Sequence, residues 1–301
     1  MEHIGVIGGL AVDLEGRPHK KLIPADSNPG TVKVSWGGVG RNIAENLYRM
    51  GGNKVSFFSA VGTDVFGSDA AASLQELGLD VNGILALPAC RTATYLSILD
   101  ENGEMVLALS DMEVLERITP EHVEAFAPLL DRTSLIVLDA NLSEETLACC
   151  GRVFSERRIF IDPVSVEKAR RIRPVLPFCH ALKPNLFEAE ALTGISIQNE
   201  GDLEEAGGCL LDLGVKMVFI SLGKNGVFYM DRLSRGRLPA PEITHPASVT
   251  GAGDAMSAAI ADGIARDSDI LRIAGNALRA ANITLQSKEP VNPDLGTLWA
   301  R

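Results

Sequence analysis

Ser248-Val249-Thr250-Gly251-Ala252-Gly253-Asp254-Ala255 places three residues of little or no side chain, then a carboxylate, where a helical run over 255–264 begins. The free N–H groups of a helix start point outward at the positive end of its dipole and suit an anion. Gly251, Ala252 and Gly253 leave that backbone open to close approach. A carboxylate beside an anion is unfavourable unless it has a task. Accepting the proton of a hydroxyl that attacks phosphorus is such a task. Asp254 could equally cap the helix, and both readings stand at this point.

Three other stretches could do chemistry. Gly37-Gly38-Val39-Gly40-Arg41-Asn42 opens a helix expected over 41–50. Counting G-x-G-x-x-G from Gly38 puts Ile43 where a small residue is needed, so the dinucleotide fingerprint fails. A turn that brings backbone to a polar ligand, with Asn42 bonding hydroxyls, is the expectation; a turn without a ligand is the alternative. Asn185-Leu186-Phe187-Glu188 has the spacing of a capping box. Ser221-Leu222-Gly223-Lys224-Asn225-Gly226 suits a loop over nucleotide phosphates or an ordinary hairpin, and it is not a P-loop. Asp13 is expected to close the first strand, where ligands of parallel sheets collect. Histidines 3, 19, 122, 180 and 245 show no metal-ligand spacing, and no G-x-S-x-G accompanies them.

The elements that must position these residues read as alternating strands and helices. Strands are expected at 4–10, 55–60, 135–138, 159–162, 180–183 and 217–221, and helices at 67–77, 144–156, 187–192 and 203–213. That order implies a mostly parallel sheet covered on both faces. Two β-rich inserts, near 13–35 and 91–111, do not fit that sheet and are expected to form a small lid on one domain spanning 1–301. The net charge of −11 argues against nucleic acid or a membrane surface as partner. Five cysteines without C-x-x-C suit reduced thiols in a cytoplasmic protein.

Both glycine motifs in this order, G-G-x-G-x-N at Gly37 to Asn42 and T-G-A-G-D-A at Thr250 to Ala255, resemble the signatures of the ribokinase-like (PfkB) family of carbohydrate and nucleoside kinases. Asn185-x-x-Glu188 and Ser221-x-Gly223-x-x-Gly226 are similar to its magnesium/phosphate and nucleotide-loop motifs. The resemblance extends through Ala25 to Gly30, Asp162 to Ser165, Leu182 to Asn185 and Asn292 to Leu295, nearly the whole chain. It implies a three-layer α/β/α fold with a β lid, and phosphorylation by ATP of the 5′-hydroxyl of a ribosyl nucleoside, pseudouridine first. Another nucleoside, a free sugar, or an inactive nucleoside-binding relative are the alternatives. By the same resemblance Asp254 would be the base, and Gly251, Ala252 and Gly253 the anion hole. Asp13, Gly38, Gly40, Asn42 and Asn141 would hold the nucleoside, with Asp26, Asn28 and Thr94 reaching it from the lid. Asn185, Ser221, Gly223 and Gly226 would serve ATP, and Glu188 would order Mg²⁺. Ser248 stands where the family often has an aspartate that helps bind a monovalent cation, so K⁺ is not implied. A homodimer through the lid is a further expectation.

Overall fold

The computed structural model describes residues 2–243 and 246–299, so His245 lies outside them. The strands are β1 (Glu2–Ile7), β2 (Ala11–Pro18), β3 (Gly30–Gly37), β4 (Asn53–Gly62), β5 (Asp80–Leu87), β6 (Thr94–Leu99), β7 (Met105–Asp111), β8 (Leu135–Asp139), β9 (Arg158–Asp162), β10 (Ala181–Leu182), β11 (Met217–Ser221), β12 (Val227–Met230) and β13 (Arg235–Leu238). The α-helices are α1 (Val39–Arg49), α2 (Val65–Leu77), α3 (Pro120–Phe126), α4 (Glu144–Val153), α5 (Val166–Ala169), α6 (Leu186–Thr193), α7 (Glu200–Asp212), α8 (Ala252–Ala265) and α9 (Ile270–Leu285).

Among the described residues, nine strands form one sheet in the order β13-β12-β11-β10-β9-β8-β1-β4-β5. From β5 to β11 the pairing is parallel, and β12 and β13 add an antiparallel edge. Central strands such as Leu135-Ile136-Val137-Leu138 are apolar throughout because both faces are covered. Ile136 and Leu138 pack with Val123, Leu147 and Leu210 from α3, α4 and α7. Leu135 and Val137 pack on the opposite face with Ile43, Ala258 and Ala277 from α1, α8 and α9. This is the α/β/α sandwich. The chain leaves β1 for β4 on one side and for β8 on the other. The switch point between β1 and β8 is therefore where ligands of such sheets bind, beyond the strand ends.

A second sheet, β3-β2-β6-β7, stands apart from the first. Its register gives it two unlike faces. Val34, Leu14, Leu96 and Leu109 line up on one, and Ser35, Asp13, Tyr95 and Ser110 on the other. The apolar face is open at its edges, with Val32 71% and Leu109 59% exposed.

The structure departs from expectation in places. Asp13 does not close β1; it lies within β2, because the chain turns at Gly8 and Gly9 and enters the second sheet at Ala11. β10 is shorter than 180–183, since Pro184 has no N–H to extend the ladder. β5, β13, α3 and α9 are absent from the sequence-based assignment. In α9 Ile270, Ile273, Ala274, Ala277, Ala281 and Thr284 are buried at regular helical spacing, a periodic signal that the assignment does not include.

Candidate active site

The start of α8 is uncapped by any side chain, and its N-cap, Gly251, has φ 81°. A Cβ at Gly251 would collide with the carbonyl oxygen of Pro290, so both conformation and space require glycine. Gly253 is exposed, and a Cβ on it would lie 3.9 Å from Lys183 Nζ. An ammonium thus stands beside the open N–H groups, and an anion placed there meets both.

Asp254, in the first turn, is half-buried. Its Oδ2 accepts a 2.8 Å hydrogen bond from Asn42 Nδ2. Burial, then the neighbouring Asp162, push its pKa up to about 7, against Asn42 and Lys183, which favour the charged form. Such a carboxyl can take a proton near neutral pH.

Beneath it lies a charged cluster from the ends of β9 and β10. Asp162 Oδ2 is 3.3 Å from Lys183 Nζ and accepts from Ser257 Oγ at 2.6 Å. Burial pulls Lys183 down, yet Asp162, Glu188 and Asp254 outweigh it and hold the ammonium protonated. Glu188 is raised by burial and by Asp162. Asn185 and Glu188 do form the capping box: Glu188 Oε2 accepts from Asn185 N and Oε1 from Asn185 Nδ2, each at 2.8 Å. Among the described residues no three His, Cys, Asp or Glu side chains converge to hold a metal by themselves. The excess of carboxylates over Lys183 nonetheless fits Mg²⁺, which is commonly held through waters and substrate phosphates.

The glycine-rich turn is tied to the switch point by Asp139, the last residue of β8. Its Oδ2 accepts from Gly9 N at 2.8 Å and Gly40 N at 2.7 Å, and its Oδ1 from Asn141 N at 2.9 Å. Gly38 has φ 95°, and a Cβ there would stand 2.5 Å from Gly9 O. This clamp brings Gly38, Gly40, Asn42 and Asn141 to the strand ends beside Asp254. Asn141 Oδ1 accepts from Lys168 Nζ at 2.6 Å. Asp13 reaches the same place from β2; burial raises its pKa, and Arg41 opposes the rise.

Ser221, Gly223 and Gly226 line a cavity of about 690 Å³ that ends at Ala252 and Gly253. Ala240, Pro241, Met256, Leu278 and Leu285 make its wall largely apolar, which suits a flat heterocycle whose phosphates reach α8.

The lid residues are less close-knit. Thr94 pairs with Val12, on the opposite face from Asp13, and its Oγ1 donates to Thr92 O at 3.0 Å. Asn28 spends its amide on its own loop, accepting from Ile23 N and donating to the carbonyls of Ile23 and Asp26. Asp26 Oδ1 accepts from Ser27 N. Neither lies beside Asp254 in this conformation. Lys183, Asp162, Asp139 and Lys168 were not singled out as site residues by the sequence. Their signal is position: each directly ends, or lies a few residues beyond, a central parallel strand.

An uncapped helix start with a carboxyl against it suits phosphoryl transfer to an alcohol group. Residues 1–296 match the pfkB family of carbohydrate kinases, and the chain belongs to that family. It is a nucleoside or sugar kinase that uses ATP. It is 39% identical, over 260 residues, to a pseudouridine kinase of Escherichia coli (strain K12), covering 86% of this chain and 83% of that one. A carbohydrate kinase structure from Agrobacterium tumefaciens is 29% identical with a TM-score of 0.86, covering 98% of this chain and 96% of the other. The ribokinase of Arabidopsis thaliana, solved with ribose and ATP, shares the fold at 17% identity with a TM-score of 0.86, covering 100% of this chain and 99% of its own. No helix among the described residues is long and apolar enough to cross a membrane.

Proposed function

We propose that the chain transfers the γ-phosphoryl group of ATP to the 5′-hydroxyl of a ribosyl nucleoside, with pseudouridine as its substrate. The observation that carries the reading is the meeting of an uncapped helix start with a carboxyl whose pKa is about 7. The identity of 39% to a pseudouridine kinase narrows the substrate.

Asp254 takes the proton of the 5′-hydroxyl as that oxygen bonds to the γ-phosphorus and the bond to the β-phosphate oxygen breaks, releasing ADP. The N–H groups of Gly251, Ala252 and Gly253 cradle the transferring group, with the Lys183 ammonium beside them. Asp13, Gly38, Gly40, Asn42 and Asn141 hold the nucleoside. Ser221, Gly223 and Gly226 flank ATP. Asn185 and Glu188 would hold Mg²⁺, which would supply neutralisation of phosphate charge.

The second sheet serves as a lid on a single domain and excludes water from the acceptor. Its polar face, with Asp13 and Tyr95, turns to the nucleoside. Its apolar face pairs with that of a second copy, since Val32, Val34, Leu107 and Leu109 are otherwise exposed. The five cysteines are free, in keeping with the cytoplasm.

A coupled ADP-release screen over pseudouridine, uridine, adenosine, ribose and fructose 6-phosphate tests the assignment. Highest kcat/KM on pseudouridine is expected; preference for any other acceptor overturns the substrate.

A further inference from the structure

Arg41 adjoins Asn42 in the glycine-rich turn, and it is only 8% exposed. Nη1 donates to Trp36 O at 3.0 Å and to Asn42 Oδ1 at 2.9 Å. Nη2 pairs with Glu45, which also holds Arg49 Nε at 2.7 Å. Nε is buried without a hydrogen-bond partner among the described residues, a costly placement for a group that only had to brace a helix.

A guanidinium can only donate. The Asn42 atom facing it must therefore be the carbonyl oxygen, which leaves the amide nitrogen 2.8 Å from Asp254 Oδ2. Turning the amide over would set donor against donor at Arg41 and acceptor against acceptor at Asp254. The direction matters, because an N–H donor favours the carboxylate of Asp254 whereas a carbonyl oxygen favours the protonated acid. Besides Asn42, Asp254 feels Asp162 at the end of β9, Lys183 beyond β10 and Asp139 on β8, and none of these three bonds Asn42. Around Arg41 the charged groups are Glu45 and Arg49 on its own helix, Asp13 on β2 and Asp254 on α8.

We propose that Arg41 is a positioning residue: by holding Oδ1 of Asn42 it aims Nδ2 at Asp254 and keeps that carboxylate ready to take the substrate's proton. The inference rests on Asp254 being the base.

The test is a double-mutant cycle read by ¹³C NMR of the Asp254 carboxyl, assigned by its loss in Asp254→Asn. Replacing the ion pair together, Arg41→Met with Glu45→Met, leaves the local net charge unchanged and strands no buried carboxylate. The paired change and Asn42→Ala should each raise the Asp254 pKa by about one unit, and combining them should raise it no further. In turnover by the paired variant, the acid limb of kcat should move up equally, about a tenfold loss below the limb that higher pH restores. Additive shifts, or none, would overturn the role. In the wild type the Asn42 Nδ2 protons should titrate with Asp254; an amide that does not respond overturns it even where the paired variant fails to fold. Full turnover by Asp254→Asn would instead sink the base assignment while leaving the amide's orientation intact, so the two failures are distinguishable.

Discussion

Asn42 at the start of α1 and Asp254 at the start of α8 share a 2.8 Å hydrogen bond across 212 positions of sequence. It joins the two glycine motifs into one site, because each helix start would otherwise face the strand ends alone. The donor also favours the charged form of the acceptor against burial and Asp162, so the pH behaviour of Asp254 reports on several residues of the site at once.

Asp254→Asn should lower kcat by about 10²–10⁴-fold while nucleoside binding persists, since shape is kept and only the basic oxygen is lost. Retention of more than about a tenth of wild-type kcat would remove Asp254 from the base role.

The same variant should change stability with a definite sign. A folded pKa of about 7 against the ordinary value of 3.8 means that the folded state holds a proton the unfolded state has lost between those values. Stability of the wild type therefore falls as pH rises through that window. Asp254→Asn should raise the melting temperature most above pH 7 and little near pH 4. Equal gains at both ends would show that charge burial is not the cause.

Glu188→Gln should raise the Mg²⁺ concentration for half-maximal rate more than it changes KM for nucleoside. Glutamine can still complete a capping box, so melting should move by no more than about 1 kcal/mol of stability. An unaltered Mg²⁺ titration would leave Glu188 only its cap.

Hydrogen exchange in 13–35 and 91–111 should slow when nucleoside is added, if the second sheet closes over it. The hydrogen bonds pairing β6 with β7 are the place to look, since every residue of β6 is only half-buried. Exchange that ignores the nucleoside would reject closure.

Asp26→Ala should reduce preference for pseudouridine over uridine, because the two differ by a ring N–H that needs an acceptor in a closed site. Asn28→Ala should instead loosen the loop, as its amide is already committed to Ile23 and Asp26. Comparing kcat/KM for both nucleosides in each variant separates the effects. A ratio unmoved by Asp26→Ala places the discriminating acceptor elsewhere.

Much of this molecule was written locally. Apolar runs such as 135–138 and 217–221 read as buried strands, and the positive φ at Gly251 and Gly38 is local backbone that favours glycine. The capping box at Asn185 and Glu188 follows from spacing within one turn, and so does the helix start at Asp254. These depend on interactions within a few residues, so sequence alone determined them. What the tertiary structure decided depends on residues far apart in the chain. Asp139 clamps Gly9 to Gly40, Lys183 pairs with Asp162, and Arg41 bonds the oxygen end of Asn42 while its nitrogen faces Asp254. Asp13 reads as a strand end until the second sheet carries it over the site, and Thr94 reads as its neighbour until register puts it on the other face. Charge burial is likewise a property of the assembled core. No local pattern marks which carboxyl will sit near pH 7, because desolvation and the fields of Asp162 and Lys183 exist only once the strand ends meet.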